Sequence, residues 1–106
     1  EVIINDSQIR EALSRSIKII VNNIKSAVEE TPPELVGDIM QRGIILAGGG
    51  GLIRGLDRLI AEQTEMPVKR MEDPLTAVVR GTGIVLENLD ELRDVLIESS
   101  DDKKLR

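Results

Sequence analysis

Ile44-Ile45-Leu46-Ala47-Gly48-Gly49-Gly50-Gly51-Leu52 is the stretch on which the fold turns. Four apolar residues with β-branched content run straight into four glycines. Residues 44–47 therefore read as a short strand covered on both faces, the pattern of a parallel sheet. Glycines let the backbone turn sharply and admit a ligand to contact distance, and free amides at the start of a helix attract phosphate. This is the chemistry of a nucleotide-phosphate cradle; a tight strand-to-helix turn that binds nothing is the alternative.

Upstream, Ile9, Leu13, Ile17, Ile20, Ile24, Ala27 and Val28 recur at intervals that predict one amphipathic helix over residues 7–30. Arg10, Glu11, Arg15, Lys18, Asn22 and Lys25 form its solvated face. Thr31-Pro32-Pro33-Glu34 places Thr31 at the N-cap and Glu34 at the third helical position, so a second, short helix is expected, closed at Gly43 by a left-handed residue. The opening Glu1-Val2-Ile3-Ile4 reads as a third strand or the remnant of one.

Downstream, Leu52, Ile53, Leu56, Leu59 and Ile60 return to helical spacing directly after the glycines, until Thr64-Glu65-Met66-Pro67 ends the run. Residues 68–71 are then a second strand. Asp73-Pro74 starts a further helix, whose apolar positions Leu75, Val78, Val79, Val85, Leu86 and Leu89 continue to about Asn88. Within it Ala77, Gly81 and Gly83 leave one surface nearly without side chains, which suits the approach of another backbone. The alternation of strands and helices predicts an α/β fold with parallel-type strands and flanking helices. Residues 1–89 make one unit. Residues 90–106 are a tail with a weak apolar set, Leu92, Val95, Leu96 and Ile97, expected to be partly disordered beyond.

The 106 residues suffice for one small domain. Lys and Arg total 14 against 19 Asp and Glu, a net charge of −5 that argues against nucleic acid, and the absence of aromatic residues removes stacking platforms. With neither cysteine nor histidine, disulfides, thiolate metal sites and the commonest general base are excluded. No apolar run approaches the roughly 20 residues of a transmembrane helix. Ser7, Ser14, Ser16 and Ser26 have no histidine to activate them and read as surface residues. Arg54 and Arg58, just past the glycines, either approach a phosphate or face solvent, and Asp101-Asp102 in the tail solvates it rather than binding a cation. Two or three strands make a thin sheet for so many apolar helices, so the chain reads as a piece of a larger α/β protein, oligomeric when isolated.

Two phosphate motifs fail against the letters. The Walker pattern requires Gly-Lys-Ser/Thr, but Gly51 is followed by Leu52-Ile53-Arg54. The dinucleotide fingerprint puts its third glycine at Ile53 or Arg54, although Glu72 stands where a ribose-binding acid is expected. A small dinucleotide-binding domain of an oxidoreductase, or an interaction module without a ligand, therefore remain as alternatives.

Thr31-Pro32-Pro33-Glu34-Leu35, Arg42-Gly43-Ile44-Ile45-Leu46-Ala47-Gly48-Gly49-Gly50, Leu52-Ile53-Arg54-Gly55-Leu56 and Glu72-Asp73-Pro74-Leu75-Thr76 with Gly81-Thr82-Gly83 together resemble the C-terminal part of the MreB family. These are the bacterial actin-like rod-shape proteins. The resemblance spans about residues 5–88. It implies a partial subdomain of the actin/Hsp70-like ATPase (ribonuclease H-like) fold, in which two lobes close on ATP with Mg²⁺. Gly48, Gly49, Gly50, Gly51 and Leu52 look like the family's adenosine motif, and residues 73–86 like its second connecting helix, a hinge between lobes. Ala47 and Gly51 depart from the residues usual there. The family's two Asp-Gly phosphate loops lie upstream, so the resemblance implies half a nucleotide site and no complete ATPase site. For the parent it implies cytoplasmic, membrane-associated filaments, guidance of cell-wall synthesis, and contact with a RodZ-like membrane adaptor.

Overall fold

The first helix begins where the chain can satisfy its own free amides. The Asn5 side chain accepts a hydrogen bond from the Gln8 amide at 3.0 Å, and the Asn5 amide donates to Gln8 Oε1 at 3.1 Å. This reciprocal cap opens α1, Asp6–Glu29. In the computed structural model, which describes residues 1–96, α1 is followed by α2 (Pro33–Arg42), β1 (Ile44–Leu46), α3 (Leu56–Thr64), β2 (Val68–Arg70) and α4 (Ala77–Glu87).

The two strands pair in parallel, with Ile44 opposite Val68, Ile45 opposite Lys69 and Leu46 opposite Arg70. The Ile44 amide donates to the Pro67 carbonyl at 2.7 Å and the Met71 amide to the Leu46 carbonyl at 3.0 Å, extending the ladder at both ends. Parallel strands need a crossover, and α3 supplies it. It packs between β2 and α1, where Val21, Leu56 and Ile60 form the buried cluster, with Ile17, Ile24, Ile44, Leu46, Leu59 and Val68 around it. Ile60 is wholly buried.

Several local expectations shift. The α1 residue driven into the core is Val21, 4% exposed, rather than Ile20, which is 41% exposed. Both fit helical spacing with Ile17 and Ile24, and the position of α3 decides between them. Thr31 does not cap α2. Its hydroxyl donates to the Ala27 carbonyl at 2.6 Å, capturing an acceptor freed by the end of α1, and Pro32 takes the cap position without a side-chain bond. Gly43 does close α2 with positive φ, +85°. A Cβ there would lie 2.6 Å from the Pro67 carbonyl oxygen, so the strand pairing itself demands glycine.

The sheet is covered on one face only. Ile45 on the opposite face is 60% exposed, and α4 leaves Val78, Val79, Ile84 and Leu86 exposed as well. Among the described residues no backbone or side chain comes within 4 Å of where a Cβ on Gly81 or Gly83 would sit, so the expected close approach is not made within this chain. The expected third strand is also absent among the described residues: residues 1–4 lie outside the two-stranded sheet, with Val2, Ile3 and Ile4 exposed. In the tail, a short turn forms at Arg93–Val95, and the disorder expected beyond Ile97, with Asp101-Asp102, lies outside the described residues.

Candidate nucleotide-binding loop

Leaving β1, the chain cannot enter an α-helix at once, because four glycines carry a propensity deficit of about 1 kcal/mol each. Instead of the expected helix from Leu52, Gly49–Leu52 forms a single 3₁₀ turn, Gly55 adopts the left-handed conformation at φ +79°, and α3 starts only at Leu56. Gly48 enters the turn at φ +77°, ψ 179°, a conformation that L side chains avoid.

The five residues singled out in the sequence are adjacent in space but not equivalent. The Gly48 amide donates to the Pro74 carbonyl at 2.7 Å, and the Gly51 amide donates to the Gly48 carbonyl at 3.1 Å. Gly51 is buried against the Leu46 backbone. Leu52 ends the turn with its side chain exposed. The amides of Gly49 and Gly50 meet no backbone carbonyl among the described residues, and no atom lies within 4 Å of a Cβ position at Gly48 or Gly50. The loop thus presents bare backbone with two donors free, held from beneath by Gly48 and Gly51.

The segment after β2 builds the other wall. Asp73-Pro74 was expected to begin a helix, but α4 starts at Ala77, since Pro74 is buried and commits its carbonyl to Gly48. Asp73 has φ +46°, and its carboxylate accepts from the Thr76 hydroxyl at 2.6 Å. Arg80 Nη2 on α4 donates to the Glu72 carbonyl at 2.6 Å and to the Asp73 carbonyl at 3.3 Å. The side chain of Arg80 escaped the sequence reading, as did the anchoring carbonyl of Pro74. Only the Asp73-Pro74 pair marked the region.

Arg54 is carried away from the loop. With Leu13, Ile17, Lys18 and Ile53 it lines a groove of about 460 Å³ between α1 and the start of α3. Arg58 is exposed on α3, and the Ser14 hydroxyl donates to the Glu11 carbonyl at 2.8 Å, as a surface serine does. Glu72 is exposed beyond β2, with its carbonyl taken by Arg80. Among the described residues no three carboxylates converge as a metal site. The chemistry on offer at the loop is backbone N–H donors at Gly49 and Gly50 without side-chain obstruction.

Comparison with known proteins adds ancestry to this geometry. A family model, MreB/Mbl protein, matches residues 1–94. The cell shape-determining protein Mbl of Bacillus subtilis is 45% identical over 91 residues, covering 86% of this chain and 27% of that protein. The cell shape-determining protein MreB of Escherichia coli K12 is 49% identical over 87 residues, covering 82% and 25%. The chain thus spans about a quarter of the length of these curated relatives. Among solved structures, MreB5 of Spiroplasma citri bound to ADP superimposes with a TM-score of 0.77 at 35% identity, over 86% of this chain and 28% of that one. Its AMPPNP-bound form gives 0.76 over 88% and 28%.

Proposed function

Since the chain belongs to the MreB/Mbl family and shares the fold of an actin-like subdomain, we propose that it supplies the adenosine-side wall of a nucleotide cleft in a cytoskeletal ATPase. The observation that carries this reading is the loop at residues 48–52, whose Gly49 and Gly50 amides stay free while Gly48 and Gly51 brace them. Backbone donors without side-chain obstruction suit a ribose and its first phosphate. The superposition on ADP- and AMPPNP-bound MreB5 supports the same assignment. On this reading Mg²⁺ and the hydrolytic groups would come from the rest of the parent.

In the parent, ATP binding would be coupled to polymerisation into membrane-associated filaments in the cytoplasm that guide cell-wall synthesis and keep rod shape, with a RodZ-like adaptor as a partner. Support comes from the cell shape-determining relatives. The bare faces of β1 and α4 support cover by other parts of the parent, or self-association of the isolated chain.

The test is an amide-resolved NMR titration of the 106-residue chain with ADP, and with NAD as comparator. ADP is expected to move the amides of residues 48–52 and 72–74 ahead of those in α1. Perturbations centred on the α1–α3 groove, or no response at millimolar ADP with the fold intact, would overturn the assignment.

A further inference from the structure

The glycine loop does not hold its own shape; it hangs on a neighbour that is itself held. Gly48, at φ +77°, has its amide fixed by the Pro74 carbonyl at 2.7 Å. Pro74 is buried, and the residue before it, Asp73, sits at φ +46°, a conformation that persists in a non-glycine residue only where the surroundings over-determine it. Two sets of contacts do so. Thr76 caps the turn, its hydroxyl bonding the Asp73 carboxylate and its amide the Asp73 carbonyl at 3.2 Å. Arg80, one turn into α4, reaches back across it to the Glu72 and Asp73 carbonyls.

We propose that Arg80 is a positioning residue for the glycine loop: by pinning the Glu72 and Asp73 carbonyls to α4, it sets where the Pro74 carbonyl stands and hence where Gly48 presents the Gly49 and Gly50 amides. The chemistry favours this over an incidental surface bond. A guanidinium donating to carbonyls makes a charge-assisted bond, stronger than a neutral one. It also ties residues 72–73 to the body of α4, one turn beyond the Thr76 side chain at the helix N-cap. Movement of α4 is thereby transmitted to the loop, and the loop's occupant is sensed at α4. The positioning role rests on the nucleotide reading above only for what the loop binds, not for the mechanical link itself.

The link is tested without a ligand. Hydrogen exchange of the Gly48 amide is measured in the 106-residue chain and in Arg80→Met and Arg80→Lys, with the Ile60 amide as reference for global opening. Arg80→Met is expected to speed Gly48 exchange by about tenfold or more, the equivalent of one lost hydrogen bond to a charged group, at unchanged Ile60 exchange. Arg80→Lys, which keeps the charge on a shorter side chain without the guanidinium, is expected to fall between the unsubstituted chain and Arg80→Met. Equal Gly48 exchange in all three proteins overturns the proposal. Should Arg80→Met raise Ile60 exchange equally, Thr76→Val serves as the second variant: it removes the other support of the turn, and Gly48 must then open faster than Ile60. ADP titration of the same samples separates the two claims. Loss of Gly48 protection in a chain that ignores ADP leaves the clamp standing and removes the nucleotide reading, while tight ADP binding unaffected by Arg80→Met removes the positioning role.

Discussion

Replacing Gly43 by alanine concentrates several costs at one atom. The native φ of +85° with ψ near 180° lies in a region essentially reserved for glycine, and forcing another residue into it costs about 1–3 kcal/mol. The added Cβ would also stand 2.6 Å from the Pro67 carbonyl oxygen, which is backbone and cannot swing aside. Relief requires β1 and β2 to separate at their first pair, where the Ile44 amide bonds that same oxygen at 2.7 Å, and a lost hydrogen bond adds about 1 kcal/mol. The total, about 2–4 kcal/mol, is severe for a chain whose buried apolar set is Val21, Leu56, Ile60 and Met66. With no Trp, Tyr or Phe to report, the assay is urea unfolding followed by far-ultraviolet circular dichroism. Gly37→Ala is the control. Gly37 lies inside α2 with nothing within 4 Å of its Cβ position, so alanine there gains about 0.5–1 kcal/mol. A Gly43→Ala midpoint within about 0.5 kcal/mol of the parent, a change typical of ordinary surface sites, would refute the reasoning.

Other substitutions separate the roles of the remaining elements. Ile60→Ala empties the one fully buried large side chain among the described residues and should cost about 2–5 kcal/mol, seen as loss of the cooperative urea transition. Asn5→Ala removes both bonds of the α1 cap, worth about 0.5–2 kcal/mol. Because Ile9 and Leu13 are half exposed, the loss should show as faster hydrogen exchange at the start of α1 while the α3 amides keep theirs. Gly51→Ala places its Cβ 3.5 Å from the Leu46 backbone, an ordinary contact, so stability and any ADP response should stay unchanged. Gly48→Ala, at φ +77° with ψ near 180°, should cost about 1–3 kcal/mol and blunt that response.

The amino-acid sequence by itself determined the element order, the parallel character of the two strands, the glycine loop between them and the family to which these belong. Each rests on local chemistry: β-branched residues before glycines, helical spacing of apolar residues, and proline or glycine at the breaks. It could not choose between Ile20 and Val21, since both satisfy the period of α1 and only the seating of α3 distinguishes them. Nor could it reveal that Thr31 would bond backward to Ala27, or that Asp73-Pro74 would become a strained bracket instead of a helix start. Thr31 exchanged one local partner for another, whereas the Asp73-Pro74 bracket took its shape from a distant one, Gly48. Because α4 begins only at Ala77, the Pro74 carbonyl stands outside the helical ladder and holds Gly48, and Arg80 ties the bracket to α4. The working shape of the glycine loop is therefore a tertiary property, set by the bond between Gly48 and Pro74, 26 positions apart in the chain, which no reading of neighbouring letters encodes.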